Sequence, residues 1–103
     1  MTKAEIQKKI TEIRHHIHMH PELALEEHET SDYIASILEE LGLEVTRGIG
    51  GTGVVATLTA GTGGKMIGLR ADMDALPITE QNDLPYKSVY PGKMHGCGHD
   101  SHV

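Results

Sequence analysis

The chain has no tryptophan and no phenylalanine, and only three tyrosines, so any core must be packed from Ile, Leu, Val and Met. Cysteine is nearly absent as well: Cys97 stands alone, which excludes a disulfide framework within the chain and fits a reducing compartment. No run of about 18 apolar residues occurs, and the opening MTKAEIQKK lacks the apolar stretch of a secretory leader. The expectation is a soluble, cytoplasmic protein with no membrane partner. Basic side chains are scarce too, nine Lys and Arg against fifteen Asp and Glu, for a formal charge of -6 with histidine neutral. That sign disfavours nucleic acid or an anionic membrane as a partner.

What is present suits a folded domain. A length of 103 residues, 38% hydrophobic and 23% charged, allows one small domain at most, with roughly two thirds of its unfolded surface buried. There is no internal repeat, low-complexity tract or linker.

Thr2 followed by Glu5 reads as a capping box, and Ile6, Ile10, Ile13 and Ile17 recur at helical spacing, which predicts an amphipathic helix ending by about His20, before Pro21. A second helix is predicted from about Glu26 to Leu41, with Tyr33, Ile34, Ile37, Leu38 and Leu41 on one face and Gly42 as its left-handed cap. The period then changes. LEVTR, GVVATLTA and KMIGLRADM read as three strands, and the glycine-rich AGTGGK predicts that the last two pair as an antiparallel hairpin. From Asp74 to Gly98 only turn chemistry is visible, and a connection of that length points to function.

Four stretches carry candidate chemistry. GIGGTG places Gly48, Gly50 and Gly53 in a G-x-G-x-x-G pattern, but a phosphate cradle needs a following helix, and VVATLTA reads as strand, so a turn between strands is favoured. In the first helix His16 and His20 have the spacing of a metal pair; no H-E-x-x-H arrangement accompanies them, and the alternative is a solvated face with helix-end histidines on the last carbonyls. Asp72 and Asp74 in LRADMDALP fall on the same side of an extended chain, as a site at a strand end or as a plain surface turn before Pro77. In HGCGHDSHV, Cys97 and His99 flank a glycine and can face one cation, with sulfur and imidazole suited to zinc or another late divalent metal. His95 or Asp100 could then orient the imidazole, and SHV reads as the first turn of a helix.

Taken in order, IRHHIHMHPELALEE, GIGGTGVVATL, IGLRADMDALPITE and PGKMHGCGHDSH closely resemble the N-terminal part of the aminoacylase-like metallopeptidases, in the branch of N-acyl-amino-acid amidohydrolases and hippurate hydrolases. The resemblance implies an α/β fold: residues 1–103 would be the N-terminal, incomplete portion of a di-metal exopeptidase-type catalytic domain, two helices followed by a mixed sheet. It implies Cys97 and His99 as metal ligands, Asp74 as the active-site aspartate that orients a ligand, and Asp72 where relatives carry a metal-binding His. It further implies a divalent cofactor (zinc, manganese, cobalt or nickel), an N-acyl amino acid or small peptide as substrate, and a homo-oligomer for full-length relatives. The general-base Glu and the remaining ligands of that family lie beyond the CGHD motif. The chain alone is therefore expected to be inactive and to expose apolar surface; the alternative is a truncated, non-catalytic metal-binding module.

Overall fold

The first helix, α1 (Lys3–Met19), begins as its sequence dictates: Thr2 Oγ1 accepts from Glu5 N–H at 3.2 Å and the Glu5 carboxylate accepts from Thr2 N–H at 3.0 Å. Those two bonds satisfy two of the donors that a helix start leaves open. The computed structural model describes all of residues 1–103. Pro21 follows the helix end and is among the most deeply buried side chains.

The next element, α2 (His28–Glu40), has no side-chain cap from its own N-cap residue Glu27. Glu22, in the HPE turn, does that work instead: its carboxylate accepts from Glu29 N–H and from both Thr30 N–H and Thr30 Oγ1. A carboxylate at the positive end of the helix dipole adds to those bonds. At the other end Gly42, with φ +85°, follows the C-cap Leu41; Gly42 N–H donates to Glu39 O and Leu43 N–H to Leu38 O. This is the Schellman arrangement that a left-handed glycine permits.

Strands β1 (Glu44–Ile49) and β2 (Gly53–Thr57) form an antiparallel pair in the register Glu44↔Thr57, Val45↔Ala56 and Thr46↔Val55, with an irregularity before Ile49↔Gly53. GIGGTG is the turn between them, and strand follows Gly53 directly, so the nucleotide-cradle alternative is excluded. A lone hairpin is marginal in water; here α2 packs against both strands. Arg47 on β1 reaches Asp32 at 2.8 Å and Glu39 at 3.1 Å on α2, and Thr52 in the turn donates to the buried Glu27 at 2.9 Å.

The expected pairing of GVVATLTA with KMIGLRADM is not formed. The sheet has two strands, β1 and β2, and no backbone hydrogen bond involves residues 61–73. The run reads as strand because it is apolar and β-branched, but strand pattern becomes strand only with a partner. Met66, Ile67 and Leu69 stand 91%, 87% and 96% exposed. The core is correspondingly small, with Ile17, Ala35 and Ala75 as its buried apolar members. A radius of gyration of 15.0 Å exceeds the roughly 13 Å of a compact chain this long. Exposed apolar surface is thus present as expected.

The chain closes on a single helical turn, α3 (His99–His102), which packs against α1. The HPE turn and the two site motifs meet here. Ala75 N–H donates to Glu22 O at 2.8 Å with a parallel bridge Leu23↔Ala75, and Leu76 and Met94 exchange backbone bonds of 2.8 and 3.0 Å. No helix is long and apolar enough to cross a membrane.

Candidate metal centre

The Leu76↔Met94 bridge brings LRADMDALP against MHGCGHD, about twenty residues on in sequence, and Leu23↔Ala75 ties the same strand-like stretch to the HPE turn. Within that frame Gly98 takes φ +87°, a left-handed value that glycine accepts without a Cβ clash, and so starts α3 with His99 turned toward Asp74. His99 Nδ1–H donates to Asp74 Oδ1 at 2.9 Å and to Asp74 O at 3.0 Å. Both partners only accept, so the proton sits on Nδ1 and the lone pair on Nε2.

His99 Nε2 lies 3.9 Å from Asp72 Oδ1, and His102 Nδ1 lies 3.3 Å from the same oxygen. One donor atom from each of Asp72, His99 and His102 falls within 4.8 Å of the others. Asp72 also receives Arg70 Nη1 at 3.0 Å. The hydrogen bond from His102 is the main reason its carboxyl titrates below the usual aspartate value; burial opposes it and Arg70 adds to it. The carboxylate therefore stays ionised. Two imidazoles and a carboxylate of this spacing fit a borderline divalent cation such as zinc.

Cys97 is exposed, carries a free thiol, and is not one of those three donors. Asp72 and Asp74 do converge on one place, with separate tasks: Asp74 holds the ring of His99 and Asp72 faces its open nitrogen. Neither His95 nor Asp100 hydrogen-bonds the His99 ring; Asp74 does. His95 is buried, at 4% exposure, with neither ring nitrogen hydrogen-bonded. Burial pushes it below the ordinary histidine value of 6.5, with Asp100 opposing.

Asp100 turns away from His99 and into the interior. Its Oδ2 accepts from His18 Nδ1 at 2.8 Å and from Arg14 Nε at 2.9 Å. His16 and His20 follow the bland alternative: His20 Nδ1–H donates to the His16 carbonyl at 2.7 Å, a helix-end bond, and the His16 ring packs on Tyr33 at 4.0 Å. Burial and then His20 lower the pKa of His16. Two histidines whose contacts matter here escape sequence reasoning. His102 had a usable signal, the i, i+3 spacing from His99 on one helical turn; His18 had none, since its partners Glu80 and Asp100 lie 62 and 82 residues away.

Comparison with known proteins finds hydrolases of one peptidase family. The profile of peptidase family M20/M25/M40 matches residues 68–103, the part that carries both motifs. The hippurate hydrolase of Campylobacter jejuni is 51% identical over 99 residues, 96% of this chain and 26% of that one. The N-acyl-L-amino acid amidohydrolase of Geobacillus stearothermophilus is 42% identical over 111 residues, all of this chain and 30% of that one. The crystal structure of the Bacillus subtilis YXEP protein, a dinuclear metal binding peptidase of the M20 family, superposes with a TM-score of 0.92 at 40% identity, over 98% of this chain and 28% of that one. The chain thus spans about a quarter of the length of the curated relatives it matches. Over that span the likeness to the M20 metallopeptidases and amidohydrolases is shown, and the fold is the α/β fold of their peptidase domains.

Proposed function

We propose that residues 1–103, matched as they are to M20 hydrolases, supply the first metal-binding residues of a cytoplasmic amidohydrolase that cleaves the amide bond of N-acyl amino acids. The observation that carries this reading is the His99–Asp74 pair, an imidazole held at Nδ1 by a carboxylate and a carbonyl so that Nε2 is free to ligate. Cys97 and His99 are the proposed ligands, Asp74 the orienting aspartate, and Asp72 a neighbouring carboxylate that lowers the cost of placing a cation beside two imidazoles. Cys97 is free and exposed two residues before His99, which supports its proposed part as a ligand.

A zinc, manganese, cobalt or nickel ion at this place would supply Lewis acidity toward the amide carbonyl and activate water for attack. The chain's own residues do three things toward that end. Asp74 fixes the tautomer of His99, Asp72 remains anionic through His102 and Arg70, and Gly98 sets the direction of the ligand-bearing turn. Asp72, Asp74 and Asp100 are each hydrogen-bonded, so none stands as an unpaired carboxylate base beside His99. The 103 residues alone are therefore proposed to bind metal without turnover.

A chimera tests this reading against a non-catalytic metal-binding module. Residues 1–103 would replace the matching quarter of the Campylobacter jejuni hippurate hydrolase, and hippurate hydrolysis would be assayed with added metal. The expected outcome is metal-dependent hydrolysis that Cys97→Ala lowers by about 100-fold or more. A folded chimera whose hydrolysis is unmoved by Cys97→Ala contradicts the ligand assignment, and a folded chimera with no hydrolysis contradicts the amidohydrolase reading.

A further inference from the structure

We propose that His18, on the first helix, is a positioning residue for the metal centre: it holds Asp100, and through Asp100 sets the direction in which the neighbouring His99 presents Nε2. The inference rests on the reading of His99 as a ligand. His18 is 3% exposed, and each of its ring nitrogens faces a carboxylate. Nδ1 lies 2.8 Å from Asp100 Oδ2, and Nε2 lies 3.1 Å from both oxygens of Glu80. Each ring nitrogen thus has a carboxylate acceptor within hydrogen-bond reach.

Each carboxylate anchors a different segment. Glu80 also accepts from Ser88 N–H at 2.7 Å and Asn82 Nδ2 at 3.1 Å, which folds the 80–88 loop onto α1. Asp100, 3% exposed, belongs to α3, whose four residues make too few internal bonds to fix their own orientation. The turn's orientation must then be imposed from outside. On the Asp74 side the His99 ring is held by its own hydrogen bonds; on the opposite side the backbone turn is held by Asp100, whose Oδ2 meets His18 and Arg14. Arg14 is 35% exposed at its side chain and shares its oxygen with His18, so the buried imidazole is the stiffer of the two anchors. This accounts for one member of the histidine group in α1 that a surface-face reading leaves without a task.

The test is a cobalt(II) titration of the 103-residue chain followed by absorption, with circular dichroism as the check on folding. His18→Gln, which keeps one donor but cannot bridge two carboxylates, is expected to raise the cobalt Kd by about 10- to 100-fold and to alter the d–d bands. Ile17→Val, at the adjacent buried position without polar partners, is expected to leave Kd and bands unchanged; a purely structural role for His18 would move both variants alike. If His18→Gln does not fold, Asp100→Ala removes the acceptor at the other end of the link and is expected to raise Kd in the same way. Parent-like Kd and bands in the folded variant, or an equal shift in Ile17→Val, overturns the positioning role while leaving the ligand assignment standing. A parent chain that shows no cobalt band sensitive to Cys97→Ala overturns the ligand assignment, and the inference with it.

Discussion

At Asp74 one side chain decides what His99 can do. The carboxylate and its own carbonyl both accept from Nδ1–H, so the ring has one tautomer and one orientation. Asp74→Asn is therefore expected to weaken zinc binding about 10- to 100-fold, because the amide can flip a donor toward Nδ1 and release the ring. Isothermal titration of the chain with zinc measures this; an unchanged Kd contradicts the orienting role. The pair is readable by motif, since the i, i+2 aspartates and C-x-H each suggest a site on their own. His18 was different. An isolated histidine on a helix has no sequence signal for partners 62 and 82 residues away, and only the folded chain reveals that it faces two carboxylates.

Local rules governed the elements that close on themselves. The Thr2–Glu5 box and the left-handed Gly42 mark where α1 starts and α2 stops, because caps are satisfied by neighbours in sequence. Gly42→Ala forces a Cβ into φ +85° and is expected to cost about 1–2 kcal/mol, read from urea unfolding; no loss of stability would contradict the Schellman cap. Helix α2 starts two residues later than its pattern predicted, since its first donors are met by Glu22 from the preceding turn rather than by a residue of its own. Strand pairing is the step that sequence could not supply. Both GIGGTG and AGTGGK look like hairpin turns, but only the first returns the chain against its predecessor, with α2 packed on the result.

For the molecule as a whole, apolar exposure and acid sensitivity follow from the same economy of burial. Met66, Ile67 and Leu69 contribute nothing to the core. Replacing Ile67 by Lys is thus expected to change stability by no more than about 0.5 kcal/mol while reducing self-association, measured by chemical unfolding and light scattering. A large loss of stability would show that the segment is packed. Glu80 supplies the acid response. Burial pushes its carboxyl up, but the Ser88 N–H, His18 and Asn82 hydrogen bonds outweigh that and hold it below the ordinary 4.5. The unfolded chain then takes up the proton first, so the stability from this group is present above about pH 4.5 and is lost as pH falls through the lower folded value. Glu80→Gln is expected to flatten that part of the acid limb; an unchanged slope in pH-dependent unfolding would contradict it.

The most direct measurement of the central claim is X-ray absorption at the zinc edge on the zinc-loaded chain. If Cys97 and His99 hold the metal, the spectrum shows one sulfur neighbour at about 2.3 Å together with nitrogen and oxygen neighbours at about 2.0–2.2 Å, and Cys97→Ala removes the sulfur shell. A shell of nitrogen and oxygen alone in the parent chain contradicts the account, because the metal would then be held without the thiolate that the site is proposed to contribute.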